Sequence, residues 1–364
     1  MKLAIASAFV VLCACTADVP AEKQEGQWIE VPNGYAQCFT IFTRGAERKV
    51  IVFGPAGRVD TAAVLYRGDR MTMHDAVAIP VLERIAVLST THLSFLSALR
   101  STNLVVAAAD LGRVLDQPSR ERIAQGGVME IATADGIDRE TLLLSRAQVI
   151  FDYPFGQAAH RSTITDLSFI PVTEYLEEHP LGRAEWIRFF GVLLGREHEA
   201  DSLFAGIDDR YQHAVAWATD RTDHPRVFFG STWQGQWHVP PGNSYMAQLI
   251  ADAGGEYCFA ERRAAGNIAV DLETVLSEGR KAARFGVILA HGGAITSAEM
   301  VGADERIATL PVISTGGFYL DSERSDIFGQ ALLEPEVLLE DLSCVLHPGK
   351  CSVRAARYVF RPDQ

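Results

Sequence analysis

The chain has 364 residues, of which 48% are hydrophobic and 22% charged, so it contains enough apolar material for two domain cores. Its formal net charge of −13 at pH 7 argues against a nucleic-acid-binding protein, because such proteins normally present a basic face. No basic run or RNA-binding motif offsets that charge. The composition therefore predicts a two-domain globular protein with no nucleic-acid partner.

The first residues have the pattern of an export signal. Residues 1–15 combine a positively charged start, a short apolar core and small residues near the end, and the core is too short for a membrane-spanning helix. The sequence Leu-Cys-Ala-Cys at the end resembles a bacterial lipobox, in which Cys15 becomes the lipid-bearing first residue of the mature protein; the alternative is an ordinary cleaved signal. Residues 16–27 predict a flexible tether. We expect an exported, periplasmic protein with a lipid anchor in a bacterial membrane.

Four further cysteines follow Cys15, in a compartment where disulfides persist. Cys344 and Cys351 lie on either side of a Pro-Gly turn that could bring them together, so we expect a disulfide between them. Cys38 and Cys258 could pair with each other or remain as buried thiols.

The elements in chain order predict an α/β protein with two Rossmann-like lobes joined by a single long helix, with the ligand cleft between the lobes. A strand-like region over 28–66 is followed by alternating strands and helices, then by a helical middle, then by a second alternating region. The helix at 197–219 would be about 35 Å long, which is enough to bridge two lobes. The predicted division is an N-terminal lobe at 28–195, an interlobe helix at 196–220 and a C-terminal lobe at 221–364. The predicted strands after the first region lie at 84–88, 103–108, 149–151, 169–172, 226–229 and 285–290, and the helices at 92–99, 181–194, 197–219, 245–253, 272–279 and 335–346.

Loops after the predicted strands supply candidate ligand-binding residues, because ligands of open parallel sheets lie beyond the carboxyl ends of the strands. The set is rich in aromatic, hydroxyl and imidazole groups and poor in Arg and Lys, which suits a bulky or flat ligand better than a small anion. Plain helix capping by the Ser-Thr-Thr run and core packing of the tryptophans are the alternatives. The candidates are Ser89, Thr90, Thr91, His92, Tyr153, Phe155, Trp233, Trp237, His238 and His291.

A direct metal site is a second possibility. His74, His92, His238 and His291 lie near strand ends, but no HExxH or paired-cysteine spacing supports a zinc or manganese site. The sequence also lacks a GxSxG elbow, an SxxK motif and a P-loop, so it gives no signal for nucleophilic catalysis or nucleotide hydrolysis. We expect no enzymatic activity and no cofactor.

Two distant hexapeptides are nearly alike: Asp-Arg-Glu-Thr-Leu-Leu at 138–143 and Asp-Leu-Glu-Thr-Val-Leu at 271–276. Each predicts a helix start followed by an apolar strand, so each lobe would present one carboxylate, Glu140 or Glu273, at a matching place. Such a pair suits docking on a two-fold partner. The alternative is that Asp is a favourable N-cap and Glu a favourable first-turn residue.

The chain resembles the class III periplasmic solute-binding proteins of ABC importers for iron-siderophore, haem and cobalamin ligands. The motifs that carry this resemblance are individually weak, and their order and spacing make it specific. The chain departs from the family at one place, because Ala147 and Gln148 stand where the family often has Pro and Asp. The stretches that match lie at 79–99, 137–151, 175–186, 240–246, 270–289 and 342–348.

The resemblance implies a monomeric binder that captures a metal chelate and delivers it to a permease dimer, with Glu140 and Glu273 meeting permease arginines. A binder of free zinc or manganese ions and an exported tetrapyrrole-acting enzyme, such as a chelatase, are the alternatives. Stoichiometric metal in the purified protein would favour the first alternative, and turnover of the ligand would favour the second.

Overall fold

A computed structural model describes residues 26–68, 76–133, 136–154, 167–220, 222–302, 304–349, 351 and 355–363. The signal and lipobox predicted at 1–15, most of the tether at 16–27, and the candidates His74 and Phe155 lie outside these residues. Within the described part, no helix has both the length and the apolar character that crossing a bilayer requires.

A five-stranded sheet begins the N-terminal lobe, shares its core, and agrees with the strand-like pattern over 28–66. Its strands follow one another in chain order and pair antiparallel, except that the last two are parallel. Alternate side chains of the second and third strands, such as Phe39 and Val52, are fully buried. The strands are β1 (Ile29–Val31), β2 (Phe39–Arg44), β3 (Glu47–Gly54), β4 (Gly57–Arg67) and β5 (Val77–Ala78).

The N-terminal lobe has a parallel five-stranded sheet in the order β12-β11-β6-β7-β8. The strand predicted at 103–108 begins as a 3-10 turn at Thr102–Leu104 and becomes extended only at Val105. A two-stranded ribbon, β9 with β10, leads into α3. The elements are β6 (Ile85–Val87), α1 (Thr90–Ala98), β7 (Val105–Ala108), α2 (Gln117–Ala124), β8 (Met129–Glu130), β9 (Ala132–Thr133), β10 (Gly136–Ile137), α3 (Arg139–Ser145), β11 (Val149–Asp152) and β12 (Ser168–Pro171).

Two consecutive helices, α4 (Pro180–Leu194) and α5 (Glu197–Thr219), connect the lobes. The helix predicted at 197–219 is α5, and α4 packs against it. Each helix contributes to both cores: Leu181 of α4 and Tyr211 of α5 lie in the C-lobe core, whereas Phe190 of α4 and Ala200 of α5 lie in the N-lobe core. The chain therefore crosses between the lobes along two helices that pack against each other.

The C-terminal lobe has a mixed sheet in the order β16-β14-β13-β17-β18, with β15 also paired to β13. The pairs that β13 makes with β15 and β17, and that β17 makes with β18, are parallel. Its elements are β13 (Arg226–Trp233), β14 (Gln236–Val239), α6 (Tyr245–Asp252), β15 (Glu256–Tyr257), β16 (Ile268–Val270), α7 (Leu272–Lys281), β17 (Arg284–Leu289), α8 (Ser297–Met300), α9 (Glu305–Ala308), α10 (Pro311–Gly316), β18 (Gly317–Asp321), α11 (Gln330–Leu333) and α12 (Pro335–Leu346).

The loop interpretation of 231–238 is wrong, because β13 and β14 form an antiparallel hairpin there. Gln234 and Gly235 both adopt positive φ, 51° and 78°, as a tight two-residue hairpin turn requires. Trp237 and Val239 of β14 then point into the core, whereas Trp233 at the end of β13 is exposed. The sequence did not predict this turn because, of its two residues, only Gly235 is of a type that commonly adopts a positive φ.

Gln148 has a structural role at the position where the chain departs from the family pattern. Its side-chain oxygen accepts hydrogen bonds from the backbone N–H groups of Glu83 (2.7 Å) and Arg84 (2.9 Å), and its amide donates to the Val81 carbonyl (3.1 Å). Gln148 thus ties the chain just before β6 to the segment that leads into β11.

Candidate functional site

One hydrogen bond joins segments that follow strands of the two different lobes. Helix α1 follows β6 of the N-lobe, and the Ser94 hydroxyl on that helix donates a 3.2 Å hydrogen bond to Asp326, which follows β18 of the C-lobe. Burial raises the pKa of the Asp326 carboxyl. Because segments that follow strands in different lobes are in contact, we place the candidate cleft between the carboxyl edges of the two sheets.

A second contact between the lobes is centred on Arg183 of α4. Its guanidinium carbon lies 3.9 Å from the ring centroid of Tyr245, in the first turn of α6 in the C-lobe. The same guanidinium donates a 2.9 Å hydrogen bond to the carbonyl of Tyr175, which follows β12 in the N-lobe. Arg183 therefore contacts elements of both lobes.

Aromatic and acidic groups of the N-lobe surround this junction. The ring centroids of Tyr153, at the end of β11, and Tyr175 are 4.7 Å apart in an edge-to-face arrangement. Glu174 beside them is almost fully buried, and one of its carboxylate oxygens has no hydrogen-bond partner among the residues that the structure describes. Burial raises the pKa of the Glu174 carboxyl to about 7, with Arg183 acting in the opposite direction. Burial also raises the pKa of the Tyr153 phenol.

The Ser-Thr-Thr run forms the start of α1. The Ser89 side chain accepts a 3.3 Å hydrogen bond from the backbone N–H of Thr91, so Ser89 is the N-cap of the helix. Ser89 and Thr90 are half-buried, whereas Thr91 is buried. The run lies at the carboxyl edge of β6, as predicted.

His92 is located in the N-lobe core and not on the surface of the cleft. Its side chain is inaccessible to solvent and packs near Phe151 and Phe190, and within the described part of the chain neither ring nitrogen has a hydrogen-bond partner. Burial lowers the pKa of the His92 imidazole to about 3; the nearby carbonyl of Phe151 opposes this shift without satisfying hydrogen-bond geometry. A neutral ring with no access to solvent cannot contact a ligand in this conformation.

The two candidate tryptophans of the C-lobe lie in different environments. The side chain of Trp233 is 65% exposed at the hairpin tip, with the half-buried His238 ring 6.2 Å away. Trp237 is only 6% exposed and packs against Phe228 and Phe285 in the core. Trp233 is therefore available to a ligand, whereas Trp237 is a core residue.

His291 is exposed after β17 and is positioned by Asp321 at the end of β18. The buried Asp321 carboxylate accepts hydrogen bonds from the backbone N–H groups of His291 (3.0 Å), Gly292 (2.8 Å) and Glu323 (3.0 Å). Gly292 has a φ of 82°, which a residue with a side chain adopts at a conformational cost. The bonds fix the loop that carries His291 at the carboxyl edge of the C-lobe sheet.

Among the described residues, no group of three or more His, Cys, Asp or Glu side chains is arranged to hold a metal ion. Cys344 and Cys351 form a disulfide with an S–S distance of 2.11 Å. Cys38 is a buried free thiol and Cys258 a half-buried one, so these two cysteines are not paired with each other.

The two carboxylates of the similar hexapeptides, Glu140 and Glu273, each lie in the first turn of a helix. Asp138 caps α3 by accepting the N–H groups of Glu140 (3.0 Å) and Thr141 (3.2 Å), and Asp271 caps α7 by accepting that of Thr274 (2.8 Å). Glu140 and Glu273 are both exposed. The alternative thus describes both residue types, because each glutamate lies in the first turn of its helix; the two exposed glutamates are also accessible to a partner.

Sequence reasoning missed Arg183, Glu174, Tyr245 and Asp326. All four follow from tertiary contacts and not from a local motif. Arg183 lies three residues inside a helix that begins at Pro180, and nothing in its neighbourhood indicates that its partner is about sixty residues away in the other lobe. Glu174 gave one usable signal, which is its position directly after a predicted strand.

Comparisons with known proteins place this architecture among two-lobed binders. A family profile described as periplasmic binding protein matches residues 85–317, which span β6 to the start of β18 and leave the N-terminal sheet outside the match. An uncharacterized lipoprotein from Methanocaldococcus jannaschii is 22% identical over 351 residues, covering 93% of this chain and 82% of that protein.

Solved structures share the fold at low sequence identity. A periplasmic haem-binding protein from Pseudomonas aeruginosa superposes with a TM-score of 0.61 at 12% identity, over 78% of this chain and 98% of that one. CeuE from Helicobacter pylori, in a nickel–histidine complex, gives 0.57 at 13% identity, over 83% and 89%. A possible iron-binding protein from Staphylococcus epidermidis gives 0.56 at 12% identity, over 74% and 100%.

Proposed function

The chain belongs to the periplasmic binding protein family, and from this premise we propose that it is the substrate-binding component of an ABC importer for a metal chelate. Members of this family bind solutes for transport, and the chain is accordingly a binder and not an enzyme. The ligand class that we propose is a ferric siderophore, haem or cobalamin. The haem-binding and iron-binding relatives of the same fold support this choice.

The ligand would be held by groups from both carboxyl edges. Tyr153 and the start of α1 at Ser89 and Thr90 serve the N-lobe side, and Trp233, His238 and His291 serve the C-lobe side. Aromatic faces with few charges bind a large, partly apolar chelate through its surface area, while hydroxyl and imidazole groups orient it. Thr91 is buried and would contribute through its backbone only.

Handover requires little closure of the lobes. Helices α4 and α5 are each packed into both cores, so a wide hinge motion would expose apolar side chains of either core. We expect small changes in the angle between the lobes on ligand binding. Glu140 and Glu273 would then orient the loaded protein on the basic surface of a permease dimer, because complementary charge mainly governs orientation and encounter rate.

The proposed location is a bacterial membrane, with the protein attached through Cys15. The lipoprotein relative supports an anchor of this kind. The tether of residues 16–27 can span at most about 40 Å when extended, so the binder would stay close to its permease.

The contact between Ser94 and Asp326, which joins segments that follow strands of different lobes, is the observation on which the proposal rests. Titration of the purified protein with haem, ferric hydroxamate and cobalamin, followed by tryptophan fluorescence, tests it. We expect saturable quenching by one chelate, recovered chelate that is chemically unchanged, and a smaller signal in Trp233→Phe. Stoichiometric binding of zinc or manganese salts without binding of any chelate would contradict the proposal.

A further inference from the structure

Helix α3 carries two exposed leucines beside the proposed docking carboxylate. Leu143 and Leu144 are 45% and 65% exposed, although leucine is normally among the buried residue types. They follow Glu140 by three and four residues, so the three side chains share one face of the helix. The opposite side of α3 is fixed in the lobe by Leu142, which is fully buried.

A third exposed apolar side chain lies on the neighbouring strand. Met129 of β8 is 42% exposed, and β8 packs against α3. We refer to Met129, Leu143 and Leu144, together with Glu140, as the α3 patch. A cluster of exposed apolar residues around one charge is typical of a protein contact surface, whereas single exposed apolar residues elsewhere need no explanation.

The matching helix of the other lobe lacks this feature. In α7 the residues three and four positions after Glu273 are Leu276, which is half-buried against the C-lobe core, and Ser277. The two helices therefore present the same carboxylate, but α3 carries two exposed leucines beside it, whereas the leucines of α7 are half-buried. If docking depended on the carboxylates alone, the exposed leucines of α3 would have no role in it.

We propose that the α3 patch is an apolar anchor for the permease and that the Glu273 side of the interface is mainly electrostatic. This inference rests on the proposed function. The occupant is a permease surface that presents a basic group to Glu140 and apolar side chains to Leu143 and Leu144. Apolar contact at the centre of an interface slows dissociation, whereas exposed charge pairs mainly speed encounter and are screened by salt.

The test uses full-length protein in host cells that carry each variant as their sole copy. Radiolabelled haem, radiolabelled ferric hydroxamate and radiolabelled cobalamin are supplied in separate uptake assays. Leu143→Gln with Leu144→Gln should lower uptake about tenfold or more, because each leucine would lose its buried apolar area in the complex. Ligand affinity of the purified variant should stay within about twofold of the wild type, since the patch is outside the cleft.

Two controls make the test specific. Val59→Gln with Val81→Gln removes a similar amount of exposed apolar surface elsewhere, because these residues are 90% and 81% exposed, and should leave uptake unchanged. Leu143→Met with Leu144→Met keeps the apolar character and should also support uptake. Thermal melts of all variants exclude unfolding as the cause.

The outcomes separate this inference from the proposed function. Glutamine variants with uptake equal to the valine control, together with loss of uptake in Glu140→Arg with Glu273→Arg, would overturn the apolar anchor and leave the importer intact. If the wild type supports uptake of none of the three probes, the proposed function fails and the anchor fails with it. A loss of uptake in both the glutamine and the methionine variants would also count against the inference, because apolar character would then not be the property that matters.

Discussion

The guanidinium of Arg183 lies over the ring of Tyr245, 3.9 Å from its centroid, and this contact joins a helix between the lobes to the C-lobe. Arg183 also donates to the carbonyl of Tyr175 in the N-lobe. A single side chain thus connects both lobes next to the buried Glu174. We expect this arrangement to restrict relative motion of the lobes, in addition to the packing of α4 and α5.

The contact between Arg183 and Tyr245 should have a measurable coupling energy. Arg183→Ala, Tyr245→Leu and the double variant form a double-mutant cycle, and we expect a coupling of about 0.5–2 kcal/mol in urea unfolding. Tyr245→Phe is the matched control, because it keeps the aromatic face and should preserve the coupling. Additive effects of the two single substitutions would show that the ring contact contributes no energy.

Glu185 should be one of the most sensitive carboxylates in the protein. Its side chain is fully buried and accepts backbone N–H groups of Gly34, Tyr35 and Ala36, each at 2.8 Å. Glu185→Gln replaces one accepting oxygen by a donor, so we expect the free energy of unfolding to fall by about 2–4 kcal/mol in urea titrations. The exposed Glu83→Gln should change it by less than about 0.5 kcal/mol. Equal effects of the two substitutions would contradict this role.

Substitutions of the two tryptophans in the β13–β14 hairpin should affect different properties, stability for Trp237 and ligand binding for Trp233. Trp237→Ala leaves a cavity beside Phe228 and Phe285, so unfolding free energy should fall by about 3–5 kcal/mol. Trp233→Ala should leave stability within about 0.5 kcal/mol, because the ring is largely exposed. Urea unfolding and chelate titration of both variants distinguish the roles, and a destabilised Trp233→Ala together with a stable Trp237→Ala would reverse the assignment.

His92 should make the protein less stable in acid. The pKa of its imidazole is lowered from 6.5 to about 3 by burial, so the unfolded state binds the proton more strongly than the folded state. Stability from this group is present above about pH 6.5 and is lost as pH falls toward 3. Relative to wild type, His92→Leu should gain about 2 kcal/mol of unfolding free energy on going from about pH 7.5 to about pH 5.

The control for this prediction is Phe95→Leu, which changes packing in the same core without removing a titratable group and should lower stability equally at both pH values. Urea unfolding at the two pH values provides the measurement. Parallel pH profiles for His92→Leu and wild type would mean that the His92 ring is accessible to protons in the folded state, and its place in the core would have to be revised.

Local patterns were sufficient to predict most of the architecture. The alternation of apolar strands and helices predicted two α/β lobes, and the helix at 197–219 is present with the same ends. Aspartate caps at the twin hexapeptides predicted two helix starts correctly, because capping depends on neighbours three residues apart at most. The family profile matches residues 85–317, which include both α/β sheets up to the start of β18 and the helices between them.

The site was less predictable because burial depends on distant parts of the chain. His92 and Ser89 are three residues apart at the same strand end, yet Ser89 is the half-buried N-cap, whereas the helical turn directs His92 into the core near Phe151 and Phe190. Likewise the hairpin turn separates Trp233 from Trp237. The sequence supplied the residue types at the cleft, and tertiary packing determined which of them remain accessible.

The docking assignment of Glu140 and Glu273 makes a prediction that depends on charge alone. Both side chains are exposed, so Glu140→Arg with Glu273→Arg should leave stability and chelate affinity unchanged within about 0.5 kcal/mol while abolishing uptake by host cells. Glu83→Arg with Glu305→Arg makes the same change of net charge at other exposed positions and should transport normally. If both double variants lose uptake equally, the net charge of the surface explains the defect, and the two carboxylates have no specific part in docking.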